Sequence, residues 1–118
     1  MEVKVRCFTE QQCQNMFRGV EDSLYVIGGK WKLKIIIALI THSRFNEILR
    51  KVNGISSKVL SNELKDLEIN GFVTRHDYKL ESPARIEYLL TEHVETLEPV
   101  IVALKEWGIM HRKTLTKK

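Results

Sequence analysis

Residues 54–71 read GISSKVLSNELKDLEING, and this stretch decides the fold of the chain. Leu60, Leu64 and Leu67 recur at intervals of four and three residues, the spacing of the apolar side of a helix. On a wheel of about 3.6 residues per turn, the opposite side is polar and cationic and consists of Lys58, Ser61, Asn62 and Lys65. A helix that reads the DNA major groove needs such a face, because hydroxyl and amide groups bond to base edges and lysines bond to phosphates. An ordinary amphipathic surface helix shows the same pattern, so the neighbouring segments decide between the two interpretations.

The ends of this helix and the segment before it predict a helix-turn-helix. Ser56 can cap the N-terminus by accepting a backbone N–H bond, and Asn70-Gly71 can close the C-terminus through a left-handed residue. Upstream, Ser43 can cap a helix over residues 44–52, in which the apolar positions 45, 48, 49 and 52 form a buried stripe. The link at residues 53–55 is short and contains glycine, so the two helices are joined by a tight turn.

The period of the sequence changes to two after Gly71, which predicts a β-hairpin. Alternation runs through residues 72–78 and again through residues 85–90. The segment between them contains Pro83 and is long enough for a hairpin loop. A hairpin in this position is the wing of a winged helix-turn-helix, and we expect Lys79 and Arg85 to reach toward a neighbouring DNA groove.

Three further helices complete the predicted fold. A capping box of Thr9 and Gln12 begins the first, over residues 10–27, and two glycines end it. The second, over residues 30–41, is apolar nearly all round and should be the central core helix, although its run of three isoleucines also fits a buried strand. Thr91 caps the last helix, which Pro99 should kink.

The predicted fold class is mainly α, with a two-stranded β wing and terminal dimerisation helices. We divide a single domain of residues 1–118 into an N-terminal arm and first helix (1–27), the core helix-turn-helix and wing (30–90) and a C-terminal dimerisation helix (91–113). The terminal helices carry more apolar surface than so small a core can cover, which favours a two-fold dimer. The predicted interface residues are Met16, Phe17, Leu97, Ile101, Leu104 and Trp107. The alternative is that these residues only close the core of the monomer.

Composition sets wide bounds on function. The chain has 118 residues, a formal net charge of +4 and a pI near 9.1, which permits a nucleic-acid partner without demanding one. No apolar run approaches membrane-spanning length, and residues 1–8 resemble a short edge strand or loose arm, not a secretory signal. We therefore expect a cytoplasmic protein with no membrane partner, in which Cys7 and Cys13 are free thiols.

The sequence offers little for catalysis. It contains neither a glycine-rich phosphate loop nor a nucleophile motif, and its four histidines have no second ligand at metal spacing. We therefore predict no cofactor, no metal and no enzyme activity. Cys13 is a candidate redox residue, although a cysteine on an apolar stripe is more typical of a small buried side chain.

Several motifs in a common order give the chain a family resemblance. They are IGGKWK (27–32), RFNEI (44–48), GISSKVLS (54–61), LKDLE (64–68), GFVTR (71–75), PARIEY (83–88), LTE (90–92), LEPV (97–100) and WG (107–108). Over residues 20–111 the chain thus resembles the HxlR-type transcriptional regulators, a branch near the MarR regulators. The resemblance implies homodimeric DNA binding, with a recognition helix in the major groove, a wing at the adjacent minor groove and dimer contacts from the terminal helices.

The chain departs from the family pattern at three places. Members often carry a cysteine near the start of the first helix, where this chain has Phe17, with Cys13 one turn earlier. The Pro-Pro-Arg of the family wing becomes Pro-Ala-Arg, which keeps Arg85. The Thr-Glu-x-Gly at the last helix ends here in Val94.

These observations predict a sequence-specific DNA-binding transcriptional regulator. The form we expect is a homodimeric repressor, or alternatively an activator, on a pseudo-palindromic operator, responsive to an unidentified small molecule or redox signal. The predicted contacts to double-stranded DNA are Ser56, Ser57, Lys58, Ser61, Asn62, Lys65, Arg44, Lys79 and Arg85. The alternative is a winged-helix module that binds another protein without specific DNA binding.

Overall fold

A computed structural model describes residues 8–116, so the predicted arm lies outside the described residues except for Phe8, and Cys7 lies outside as well. The elements follow in the predicted order of three helices, a recognition helix, a hairpin and a long C-terminal helix. They are α1 (Glu10–Ile27), α2 (Lys32–Leu39), α3 (Phe45–Lys51), α4 (Ser57–Ile69), β1 (Val73–Asp77), β2 (Ile86–Leu90), a 3-10 helix (Glu92–Leu97) and α5 (Glu98–Thr116). This is a winged helix-turn-helix, as the sequence predicted.

The core lies between α2, α3, α4 and β1. The most deeply buried side chains are Ile35, Ile36, Ile48, Leu60, Leu64, Leu67 and Val73. The isoleucine run therefore lies in a helix and not in a strand. α2 is shorter than predicted, and Ile37 and Ile40 are exposed, so the helix is buried on one side only.

The helix caps explain where α1 and α3 begin. The predicted capping box of α1 is present, since Thr9 Oγ1 accepts from the Gln12 N–H and Gln12 Oε1 accepts from the Thr9 N–H. The prediction that Ser43 caps α3 is wrong. Glu47 reaches back instead, and its Oε1 accepts from the N–H of Arg44 at 3.0 Å and of Ser43 at 3.3 Å.

Both ends of α4 are capped by the residues that the sequence predicted. Ser56 Oγ accepts from the Val59 N–H at 3.2 Å. At the other end Gly71 has φ +82°, and the N–H groups of Gly71 and Phe72 bond back to the carbonyls of Glu68 and Leu67. That pair of bonds is a Schellman motif, and its positive φ is why the position requires glycine. The caps fix the two ends of α4 and direct the chain from α4 into the wing.

The wing is one antiparallel ladder that is tied to the helices. Its register runs from Val73 opposite Leu90 to Asp77 opposite Ile86. The Tyr88 N–H donates to the Ser43 carbonyl at 2.8 Å, which joins β2 to the segment before α3. The hairpin thus lies beside the helix-turn-helix.

The last helix differs from its prediction in its first turns. Thr91 precedes a 3-10 helix and makes no side-chain cap bond there, because its hydroxyl donates to the Gly71 carbonyl. α5 begins at Glu98, so Pro99 lies in its first turn, where a missing N–H costs no helical bond. In place of the kink predicted at Pro99, the chain changes from 3-10 to α-helix just before that residue.

Candidate nucleic-acid interface

The outward face of α4 presents the polar side chains that the sequence singled out. Lys58, Asn62 and Lys65 are exposed, and so are Ser56 and Ser57 at the N-terminal end. Ser61 is half-buried. The three leucines on the opposite side of the helix lie in the core, which orients the polar face toward solvent. This face can donate and accept hydrogen bonds at base edges and bring two cations to phosphates.

Lys32 forms ion pairs with two carboxylates on one flank of α4. Its Nζ lies 2.8 Å from Glu63 Oε2 and 3.6 Å from Asp66 Oδ2. The side chain is only 13% exposed, so its ammonium is engaged by these carboxylates and is largely covered from solvent. Lys30, by contrast, lies over Trp31, with its Nζ 4.9 Å from the ring centroid. Sequence reasoning missed the ion pair, although the placement of Glu63 and Asp66 one turn apart on one flank was a usable signal.

Arg75 extends the cationic surface from α4 onto the wing. It lines a groove between α4 and β1 together with Ser61, Lys65 and Glu68. Arg75 was not among the predicted DNA contacts. Arg75 lies opposite Tyr88 in the β-ladder, and Tyr88 packs against the core. Arg75 therefore stands on the face of β1 that is turned toward the helices, which is the feature that could have identified it.

A second cationic groove lies between the start of α3 and the wing. The structure brings together three predicted DNA contacts there, Arg44, Lys79 and Arg85, and adds Arg50. Two carboxylates, Glu47 and Asp77, lie in the same groove, so its charge is mixed. Arg50 was missed although it stands in the last turn of α3, one residue before its end.

Glu47 has an electrostatic role that its cap bonds explain. The backbone N–H of Arg44, more than any other group, lowers the pKa of this carboxyl. Desolvation opposes the shift, and the Ser43 N–H and the charges of His42 and Arg44 act in the same direction as the Arg44 N–H. Glu47 therefore stays ionised while it holds the start of α3. Its carboxylate bonds to backbone N–H groups at the start of α3, and not to the arginine side chains that line the groove.

Arg85 is held within the wing. Its Nη1 lies 3.2 Å from Glu81 Oε2, its Nε lies 4.0 Å from Glu87 Oε2, and its guanidinium carbon lies 4.3 Å from the centroid of the Tyr78 ring. These contacts pin the loop at residues 79–84 to β2. Lys79 is exposed and has no ion pair within residues 8–116, so it is the better placed of the two wing cations for a phosphate.

The predicted dimer residues divide into two groups. Phe17 is 63% exposed and Trp107 59%, and Met16 and Leu104 are also exposed. Leu97 is only 9% exposed and belongs to the core, so its assignment as surplus apolar surface is wrong. Ile101 is partly buried against the same core, because the 3-10 helix and the first turn of α5 pack on it.

Cys13 is half-buried on α1 and shares an apolar surface with Met16, Phe17 and Val20. Across residues 8–116, no three histidine, cysteine or acidic side chains are grouped so that they could hold a metal ion. Within the same range no helix is both long and apolar enough to cross a membrane.

The comparisons with known proteins agree with this geometry. A family model described as HxlR-like helix-turn-helix matches residues 26–116. The HTH-type transcriptional regulator YybR of Bacillus subtilis is 42% identical over 97 residues, which cover 81% of this chain and 77% of YybR. The HTH-type transcriptional regulator BH0655 of Halalkalibacterium halodurans is 41% identical over 92 residues, which cover 76% of this chain and 80% of that one.

A solved structure supports the same assignment. The redox regulator HypR in its reduced form superposes with a TM-score of 0.74 at 40% identity and covers 85% of this chain and 99% of its own. These relatives favour specific DNA binding over a protein-interaction module. The chain belongs to the HxlR-like helix-turn-helix family and is a DNA-binding transcriptional regulator.

Proposed function

We propose that the protein is a homodimeric repressor whose two α4 helices enter successive major grooves of a pseudo-palindromic operator. The observation that carries the proposal is the exposed serine, asparagine and lysine face of α4. Arg75 of the wing lines a groove with Ser61 and Lys65 of α4, and a second groove with several arginines and a lysine lies between α3 and the wing. Ser56, Ser57, Ser61 and Asn62 are the base contacts in this proposal. Lys58, Lys65, Arg44 and Lys79 bind phosphates, and Arg85 shapes the wing and approaches the backbone.

The exposed terminal helices support a second copy of the chain as the dimer partner. Of the 18 residues of α1 only Ile27 is buried, and α5 has no buried residue in 19. The radius of gyration is 18.2 Å, whereas a compact chain of this length has about 13.5 Å. An isolated helix with so little of its apolar side covered is marginal in water. A two-fold dimer covers these sides and leaves both α4 helices outward.

The proposed mechanism follows from this symmetry. Two recognition helices on one side of a duplex meet half-sites one helical turn apart. When the operator overlaps a promoter, the bound dimer blocks polymerase. The alternative is that the bound dimer activates transcription by recruiting polymerase. A signal that changes the angle between the terminal helices changes the spacing of the two α4 helices and releases the DNA.

The signal in this proposal is a small molecule or an oxidant that acts at α1. HypR, a redox regulator, has been solved in reduced and oxidised forms. In this chain Cys13 lies on the apolar surface of α1 that the dimer would use. A thiol there, when modified, would alter the packing of the terminal helices.

Fluorescence anisotropy on the DNA upstream of the gene tests the proposal. The protein is titrated at several salt concentrations against that duplex and a scrambled duplex, with Lys58→Ala and Lys65→Ala as variants. We expect preference for the upstream DNA, a log–log salt dependence that falls by about 0.9 for each lysine removed, and weaker binding by both variants. Equal affinity for both duplexes and silence of both lysine variants would exclude α4 as the recognition helix.

A further inference from the structure

The net charge of α4 is negative, although its proposed partner, DNA, is negative as well. Between Ser57 and Ile69 it carries two lysines, Lys58 and Lys65, and three carboxylates, Glu63, Asp66 and Glu68. The helix alone therefore has a formal charge of −1. A helix that lies in a groove walled by phosphates is repelled by uncompensated carboxylates. A cation from another element is needed to offset the carboxylates that the two lysines of α4 leave unbalanced.

Lys32 supplies that charge from the first turn of α2. Its ammonium is in direct contact with Glu63 at 2.8 Å and within ion-pair distance of Asp66 at 3.6 Å. The Lys32 and Glu63 side chains are 13% and 20% exposed, so water screens this pair less than a surface pair. Asp66 is more than half exposed, so water solvates it as well. Glu63 is thus the carboxylate that depends most on Lys32.

The sequence neighbours of the two carboxylates are proposed DNA contacts. Glu63 follows Asn62, and Asp66 follows Lys65. Adjacent residues of a helix lie about 100° apart around its axis. When the face of Asn62 and Lys65 enters the major groove, the positions of Glu63 and Asp66 lie on the side of α4 that is next to one wall of that groove. The pairing with Lys32 holds the Glu63 carboxylate against α2 and away from that wall.

We infer that Lys32 is a positioning residue for DNA recognition, which neutralises the acidic flank of α4 without touching DNA. The inference rests on the proposed role of α4 as the recognition helix. If Lys32 bound phosphate, its removal would weaken DNA binding whatever the charge of Glu63. In the inferred role, binding weakens because the Glu63 carboxylate is left without a partner. The inferred role also differs from a purely structural one, because removing the Glu63 charge should restore binding even without the ion pair.

A charge-balanced double variant separates these roles. Lys32→Met removes the ammonium and keeps most of the apolar stem. A unit charge left about 10 Å from a phosphate, at an effective dielectric constant near 20, changes affinity roughly tenfold at low salt. We therefore expect Lys32→Met to weaken operator binding roughly tenfold for each half-site, which is roughly a hundredfold for the dimer. Lys32→Met with Glu63→Gln has the formal charge of the wild type, and we expect its affinity to return to within about threefold of wild type.

Two controls complete the experiment. Lys30→Met removes a lysine two positions away that lies over Trp31 and not beside the carboxylates, and we expect a smaller loss than for Lys32→Met. Lys32→Arg keeps the cation and should keep the affinity. All variants are measured by anisotropy at low salt, at a temperature where their unfolding curves show a folded protein.

The outcomes distinguish this inference from the proposed function. A double variant as weak as Lys32→Met would overturn the inference, since it would make Lys32 a direct DNA contact or a purely structural residue. Full affinity in Lys32→Met would overturn it too, provided that Lys58→Ala weakens binding and so upholds α4 as the recognition helix. Silence of Lys58→Ala would overturn the proposed role of α4 and with it the role of Lys32.

Discussion

Phe17 gives the sharpest test of the proposed dimer, because it is a large apolar side chain that the core leaves uncovered. It is 63% exposed on α1. A phenylalanine presents about 200 Å² of surface, so about 125 Å² remains for a partner to cover. At about 25 cal/mol per Å² that area is worth about 3 kcal/mol, and the two-fold axis doubles the value to about 6 kcal/mol per dimer. Phe17→Asp should therefore weaken dimerisation by about four orders of magnitude.

Sedimentation velocity over a range of protein concentrations measures this effect. Leu80→Asp is the matched control, since Leu80 is 97% exposed at the tip of the wing, far along the chain from both terminal helices. We expect Phe17→Asp to sediment as a monomer at concentrations where the wild type and Leu80→Asp are dimers. A Phe17→Asp protein that dimerises within tenfold of wild type would refute the assignment of α1 to the interface.

Three further predictions concern stability. Leu60→Ala removes a side chain with no exposed surface from the core and should lower the free energy of unfolding by about 2–5 kcal/mol in urea titrations, whereas an equally large exposed residue such as Ile69 should tolerate alanine. Gly71→Ala forces an L side chain into φ +82° and should cost about 1 kcal/mol, measured as a lower Tm even though open space surrounds the site. The pKa of Glu47 is lower in the folded state than in the unfolded state, so its contribution to stability is present above the ordinary glutamate pKa and is lost as pH falls through the folded value. The stability difference between wild type and Glu47→Gln should therefore shrink on acidification below about pH 4, and a difference that is constant from neutral to acid pH would contradict the role of its cap bonds.

The elements that the sequence predicted well are those with local causes. The bounds of α1 and the caps of α4 follow from side chains within a few residues, such as Thr9 with Gln12 and Ser56 with Val59. The start of α3 was misassigned for a local reason as well. A carboxylate in the third position of a helix can accept from two backbone N–H groups at once, and Glu47 does so where a Ser43 hydroxyl was expected.

The features that the sequence did not predict depend on contacts between distant segments. Lys32 and Glu63 are 31 positions apart, and their pairing requires α2 to pack beside α4. Leu97 was placed at the dimer surface because periodicity shows that a side chain is apolar without showing which surface covers it. Arg75 reaches the groove beside Ser61 and Lys65 because the wing folds against α4, a contact that no local pattern reveals.

The proposed base reading by the outward face of α4 depends above all on Asn62. The measurement is the affinity of wild type and Asn62→Ala for a panel of operators, each with one base pair changed symmetrically in both half-sites. A bidentate amide contact discriminates between bases by about 1–3 kcal/mol. We expect Asn62→Ala to lose the preference at one position of each half-site and to keep it at the others. An unchanged preference profile, or uniform weakening at every position, would contradict this proposal.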